Sequence, residues 1–299
     1  MNIFTEPHGA ANIEGNPLAA LAGFLLLGVV LAGTASGFSA GIRLWRDRAK
    51  WRGRVRAICR RPWHLNDSVL LCCVLLLCYS FLLICAHLGI ISAWSVPGET
   101  SVVSLVLQTA LMPLCGLFAV VFLSRSKGIS GRRAFGFGIR SRPASLKLAV
   151  QAYLAAIPLV IAAGVVYLTL LTLVGFPLSP QPVVGLLVDE QVPTWVLVYL
   201  AGMAVFVAPV FEEILFRGIA LPLLLRRFHP AVAICLISAV FSAIHFHAPS
   251  FAALFTIAAA FSIAYIWTGS LAVPILMHAI FNAANIGLLI LFKESVLTR

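Results

Sequence analysis

Six polar side chains stand in strongly apolar surroundings in the second half of this 299-residue chain: Glu212, Glu213, Arg217, His245, His278 and Asn282. Placing a charge at the centre of a membrane helix costs roughly 2.5–3.5 kcal/mol, so such groups must face protein or water rather than lipid. Glu213 and Arg217 are spaced i and i+4 with the acid first, the favoured order for an ion pair on one helical face. Glu212 lies about 100° round the helix from Glu213 and has no partner in its own helix. A carboxylate so placed can point into a cavity and act as a general base.

Two histidines close the next apolar stretch, in Phe241-Ser242-Ala243-Ile244-His245-Phe246-His247. Helical residues two apart point to nearly opposite faces, so only one of the pair serves a common site unless the helix ends between them. His245, one turn beyond Phe241, is the candidate, and His247 at the edge before Ala248-Pro249 is the bystander. In the last apolar stretch His278 and Asn282 share a face one turn apart, and Asn285 lies near the same line. Interhelical hydrogen bonding accounts for Asn285. The coincidence of His278 and Asn282 with the other two clusters points to a shared site.

The elements that must position these groups follow from composition. Hydrophobic residues make up 61% of the chain and charged residues 10%, with a mean hydropathy of +1.03, which excludes a water-soluble globule, disorder and coiled coil. Apolar stretches near 17–42, 68–94, 101–123, 146–174, 196–225, 230–247, 251–267 and 270–292 predict an all-α, polytopic bundle of about eight transmembrane helices. The net charge is +11, but it is clustered: residues 43–61 carry nine basic side chains and residues 125–147 seven. That is the positive-inside pattern, not a nucleic-acid footprint. It predicts a multi-pass plasma-membrane protein with cytoplasmic basic loops and its N-terminus outside, together with Glu6, Glu14, Glu99, Asp189 and Glu190. Membrane lipid is then the first partner.

Gly33, Gly37 and Gly41 recur every four residues and predict close helix packing. Gly37-Phe38-Ser39-Ala40-Gly41 spells a nucleophile motif, but a membrane helix lacks the strand-to-helix elbow it needs. Six of the seven cysteines fall in apolar runs and Cys59 in a basic loop, so they read as small apolar residues without disulfides or C-x-x-C metal spacing. The first 16 residues carry no Lys or Arg, unlike a cleavable signal peptide. Measured from the helix ends, Glu212 and His245 fall at similar depth whereas His278 falls shallower, which demands tilt or an earlier end to the seventh span.

E-E-x-x-x-R at 212–217, F-x-x-x-H at 241–245 and H-x-x-x-N at 278–282, on successive apolar helices, resemble the CPBP (CAAX protease and bacteriocin-processing, or Abi) family of intramembrane endopeptidases. The resemblance divides the chain into three N-terminal helices (1–124), a basic cytoplasmic loop (125–145) and a protease domain (146–299). It implies that Glu212 and His245 activate a water for attack on a peptide carbonyl. Glu213 and Arg217 would order the site, and His278 and Asn282 would bind the oxyanion. It implies a bacterial membrane enzyme acting on a peptide or protein, lipidated in the eukaryotic members. No cofactor is expected. The alternative is a zinc enzyme using Glu212, His245 and His278, although H-E-x-x-H is absent. A proton-coupled transporter also places acids and histidines in the membrane, but it usually distributes its carboxylates across the bilayer and repeats its halves. Neither feature is present.

Overall fold

The computed structural model describes residues 17–88, 100–179, 181, 184–185 and 192–291. The acids expected on the outer side, and the N-terminal 16 residues, lie outside these. Each of the eight apolar stretches becomes a helix: α1 (Pro17–Arg46), α3 (Leu65–His87), α4 (Thr100–Ser126), α6 (Arg142–Leu173), α7 (Thr194–Leu225), α8 (Pro230–Ala243), α9 (Phe251–Thr268) and α10 (Ala272–Leu291). The basic segments add two short helices, α2 (Arg48–Cys59) and α5 (Gly131–Phe135). No strand occurs among the described residues.

Six of the helices contain stretches long and apolar enough to cross a membrane: α3, α4, α6, α7, α9 with its leading turn, and α10. Within α1 and α8 the shorter apolar runs are Leu27–Ser39 and Pro230–Ala243. The 14 residues of α8 extend about 21 Å, less than a bilayer core of about 30 Å. The helix stops at Ala243, before either histidine, and Phe246 then adopts a left-handed backbone (φ 48°).

The long helix α7 is not regular. Wide, π-type turns occupy Met203–Val207 and Ile214–Ala220. Proline has no N–H and its ring clashes with the carbonyl four residues back, so a helix containing one must widen or kink. Four residues before Pro209 is Val205, and four before Pro222 is Gly218; each lies in a wide turn. Glu212 and Glu213 sit between the two.

Packing joins the two halves of the chain. Gly33 of α1 meets the Leu154 carbonyl and Pro158 of α6, and Gly37 meets Ala155, so two of the three spaced glycines pack as expected while Gly41 touches nothing. One core cluster combines Ile58, Trp63, Leu71 and Val120 with Ile214, Ile219 and Leu271 from the C-terminal helices. The segment 125–145 is more than a loop. Its helix α5 tucks Ala134 and Phe135 into this core, and the Phe135 carbonyl accepts from the N–H of Leu271 at the start of α10. The seven cysteines are free.

Gly218 makes room for Phe135: a Cβ there would lie 2.8 Å from the ring. Gly218→Val is expected to displace α5 and destabilise the bundle by about 1–3 kcal/mol, the usual range for overpacking. A thermal unfolding midpoint in detergent equal to wild type would contradict this.

Candidate active site

The site begins with Arg217, a guanidinium with no solvent exposure. It donates from Nη1 to Glu213 Oε1 at 2.7 Å, the i,i+4 pair the spacing predicted. Its other donors go to α9: Nη2 to the Ala258 carbonyl at 2.9 Å and Nε to Ser262 Oγ at 3.4 Å. Phe216, Phe241 and Phe261 surround the cation at 4.8 to 6.0 Å from their ring centroids. A buried charge is tolerable only when paired and hydrogen-bonded, and each of the three guanidinium nitrogens has an acceptor here.

Glu213 also fixes His278. Its Oε1 lies 3.0 Å from His278 Nδ1, so the ionised carboxylate requires the proton on Nδ1. Phe261 stacks on the imidazole at 5.0 Å and Phe241 meets it edge-on at 5.8 Å. The other nitrogen, Nε2, faces Glu212 Oε2 at 3.8 Å. Glu212 thus lies beyond hydrogen-bond length yet within ion-pair reach. Its side chain is 23% exposed, and Oε2 is buried with no hydrogen-bond partner. Since Glu213 and Arg217 cancel, the cluster is neutral when Glu212 and His278 hold one acidic proton between them.

Asn282, one turn further along α10, donates from Nδ2 to the Ala204 carbonyl of α7 at 2.7 Å. The reason lies in Pro209. The wide turn bonds the Ala208 N–H to the Met203 carbonyl, five back, and the next donor in that register would be residue 209, which has none. Ala204 is left with a free carbonyl that Asn282 satisfies. The amide keeps a second N–H available. Asn285 bonds back to the Phe281 carbonyl of its own helix at 2.9 Å, so the interhelical role expected for it is not found.

A cavity of about 690 Å³ opens beside this cluster, lined by His245, His247, Asn282 and Ala204 among mainly apolar side chains such as Leu254 and Leu200. Both histidines line it, contrary to the opposed faces expected of one helix, because α8 has already ended and Phe246 reverses the backbone. Their chemistry separates them. His247 has both nitrogens engaged, with Ser250 Oγ and the Ser179 carbonyl, each at 2.8 Å. His245 bonds only through Nδ1, to the Phe241 carbonyl at 2.7 Å. A carbonyl can only accept, so Nδ1 carries the proton and Nε2 presents a lone pair. Phe241 lies tilted against His245 at 4.9 Å and so touches both site histidines.

The structure therefore brings Glu212, Glu213, Arg217 and His278 into one contact network, with Asn282 and His245 on the adjoining cavity. Among the described residues, no three His, Cys, Asp or Glu side chains are grouped to hold a metal ion. Sequence reasoning missed Ser262 and Ala258, the α9 groups that complete the Arg217 shell. Their i,i+4 spacing of small residues was the available signal.

Residues 193–284 match the model of the family described as type II CAAX prenyl endopeptidase Rce1-like. The match takes in all of α7, α8 and α9 and most of α10, and with them all three motifs, within narrower limits than the 146–299 expected from sequence. The C-terminal region holds an Rce1-like domain of the CPBP family, in a chain whose described residues form no strand and include six helices long and apolar enough to cross a membrane. No curated protein and no solved structure matches the chain.

Two outcomes follow from the geometry. Arg217→Ala strands Glu213 as a buried, unpaired carboxylate and is expected to destabilise by about 3–5 kcal/mol, measured by chemical or thermal unfolding in detergent. Asn282→Ala is expected to destabilise by about 1–3 kcal/mol through the orphaned Ala204 carbonyl. That loss should shrink in a Pro209→Ala background, where residue 209 regains its N–H; additive losses in the double-mutant cycle would disprove the link.

Proposed function

We propose, from the Rce1-like character of residues 193–284, that this chain hydrolyses a peptide bond within the membrane by means of a water activated at Glu212. The observation that carries the reading is the Glu212 carboxylate, unpartnered at a buried Oε2 and 3.8 Å from an imidazole whose other nitrogen is already committed. Glu212 removes a proton from the water as its oxygen attacks the peptide carbonyl. His245 Nε2 accepts the hydrogen bond from the water's second hydrogen and orients it. Protonated His278, whose charge the Glu212 carboxylate balances before the attack, and the second N–H of Asn282 receive the oxyanion. The tetrahedral intermediate collapses when Glu212 returns its proton to the leaving nitrogen, and the C–N bond breaks to give an acid and an amine. Charge is balanced throughout, which suits a site shielded from water.

The apolar lining of the cavity suits a membrane-borne peptide, including a lipidated one. Arg217 and Glu213 act as positioning residues. No metal takes part in the proposed steps. The proposal includes a bacterial plasma membrane with the basic segments cytoplasmic, an orientation that the clustering of Lys and Arg supports.

A peptide-library cleavage assay in detergent tests the proposal. Wild type is expected to cleave with or without chelator. Glu212→Gln is expected to lose at least about 10²-fold in rate, the lower range for a general base, with an unfolding midpoint close to wild type. Undiminished cleavage by Glu212→Gln would remove the base; loss of wild-type cleavage on chelation would replace the metal-free step.

A further inference from the structure

The basic end of the bundle holds more positive charge than its carboxylates can meet. Among the described residues only Asp47 and Asp67 stand near it, and they are taken by Lys50 and Lys127. Several arginines there satisfy themselves on backbone. Arg226 donates to the Cys59, Arg61 and Trp63 carbonyls, and Arg61 to those of Arg132, Arg133 and Gly269. These bonds hold the fold but leave the charges uncancelled.

One spot concentrates this excess. Trp267, on the last turn of α9, stacks with Trp51 of α2 at 6.5 Å, and the Arg54 guanidinium lies 4.1 Å above the Trp267 ring. Arg54 is half-buried, and its Nη1 is enclosed without a hydrogen-bond acceptor. Arg140 reaches the same helix end and donates from Nε to the Thr268 carbonyl at 3.2 Å. Burial, then the like charge of Arg140, hold Arg54 below the usual guanidinium range, against a smaller opposing pull from Asp47. Two guanidiniums thus share one helix end with only neutral partners.

We propose that Arg54, Arg140 and Trp267 form a binding site for the phosphodiester of an anionic phospholipid. Planar guanidiniums match phosphate oxygens two at a time. Paired indoles favour the headgroup level of a bilayer. Helix α2 is suited to lie there: Trp51, Val55, Ile58 and Cys59 face the protein core, while Lys50, Arg52 and Arg56 are exposed. The location, at the end of α9 and beside the segment that leads into α6, two helices long and apolar enough to cross a membrane, favours a lipid over a free ion. A bound headgroup would cross-link α2, the segment before α6 and the end of α9, and so brace the core on which the site helices rest.

Thermal unfolding of the full chain in an uncharged detergent tests this. Phosphatidylglycerol is expected to raise the midpoint, whereas phosphatidylcholine and inorganic phosphate at equal concentration leave it unchanged. Arg54→Gln with Arg140→Gln should need at least about tenfold more phosphatidylglycerol for the same shift, a change of about 1.4 kcal/mol. The exposed pair Arg132→Gln with Arg133→Gln should respond as wild type. Equal loss in both variants would mean diffuse charge attraction and overturn the site; a shift produced by inorganic phosphate or phosphatidylcholine would overturn the ligand. Should the first variant fail to fold, wild-type fluorescence decides. Phosphatidylglycerol with brominated chains is expected to quench more than brominated phosphatidylcholine, with the difference lost in Trp267→Phe, and equal quenching would refute the proposal.

Discussion

A guanidinium enclosed on all sides in an apolar bundle sets the terms for everything around it. Arg217 holds a fixed charge in a place with no water to solvate it, so Glu213 must stay ionised beside it. Because Glu213 is ionised, His278 must carry its proton on Nδ1, and because Nδ1 is committed, Nε2 is the nitrogen turned towards Glu212. The Glu212 carboxylate is thereby placed opposite an imidazole of defined orientation. Ser262 and the Ala258 carbonyl each take a further guanidinium donor and tie this arrangement to α9, which carries no motif residue at all.

The helix bearing the glutamates is built around two interruptions. A wide turn precedes each of Pro209 and Pro222, and a wide turn exposes carbonyls that a regular helix would use internally. In water such a carbonyl would be solvated at little expense. Inside a bilayer it needs a protein donor. Asn282 meets that need at Ala204, which gives the amide a structural bond and, through its second N–H, a fixed direction towards the cavity.

The basic segments have a comparable double use. Their charge is the pattern from which an orientation across the membrane is read, and Arg61 and Arg226 also cap open carbonyls where helices end. Phe135, in the same charged stretch, fills the space left by Gly218. The N-terminal helices therefore share a core with the Rce1-like helices, even though the family match begins only at residue 193.

Much of this was written in the chain itself. Long apolar runs cannot be clothed in water, so the helical membrane bundle follows from composition, and the i,i+4 order of Glu213 and Arg217 was enough to pair them. The contents of a cavity were not so legible. The angular rule that set His247 aside assumed an unbroken helix; α8 ends at Ala243, and it is the second nitrogen of His247, occupied by Ser179, that distinguishes it from His245. Asn285 looked like an interhelical donor and bonds within its own helix. Local spacing fixes which face of a helix a residue shares, because backbone geometry repeats along the chain. Which helix meets that face, at what depth, and which carbonyls a proline has left open depend on contacts between residues such as 204 and 282, and only the packed bundle brings those together.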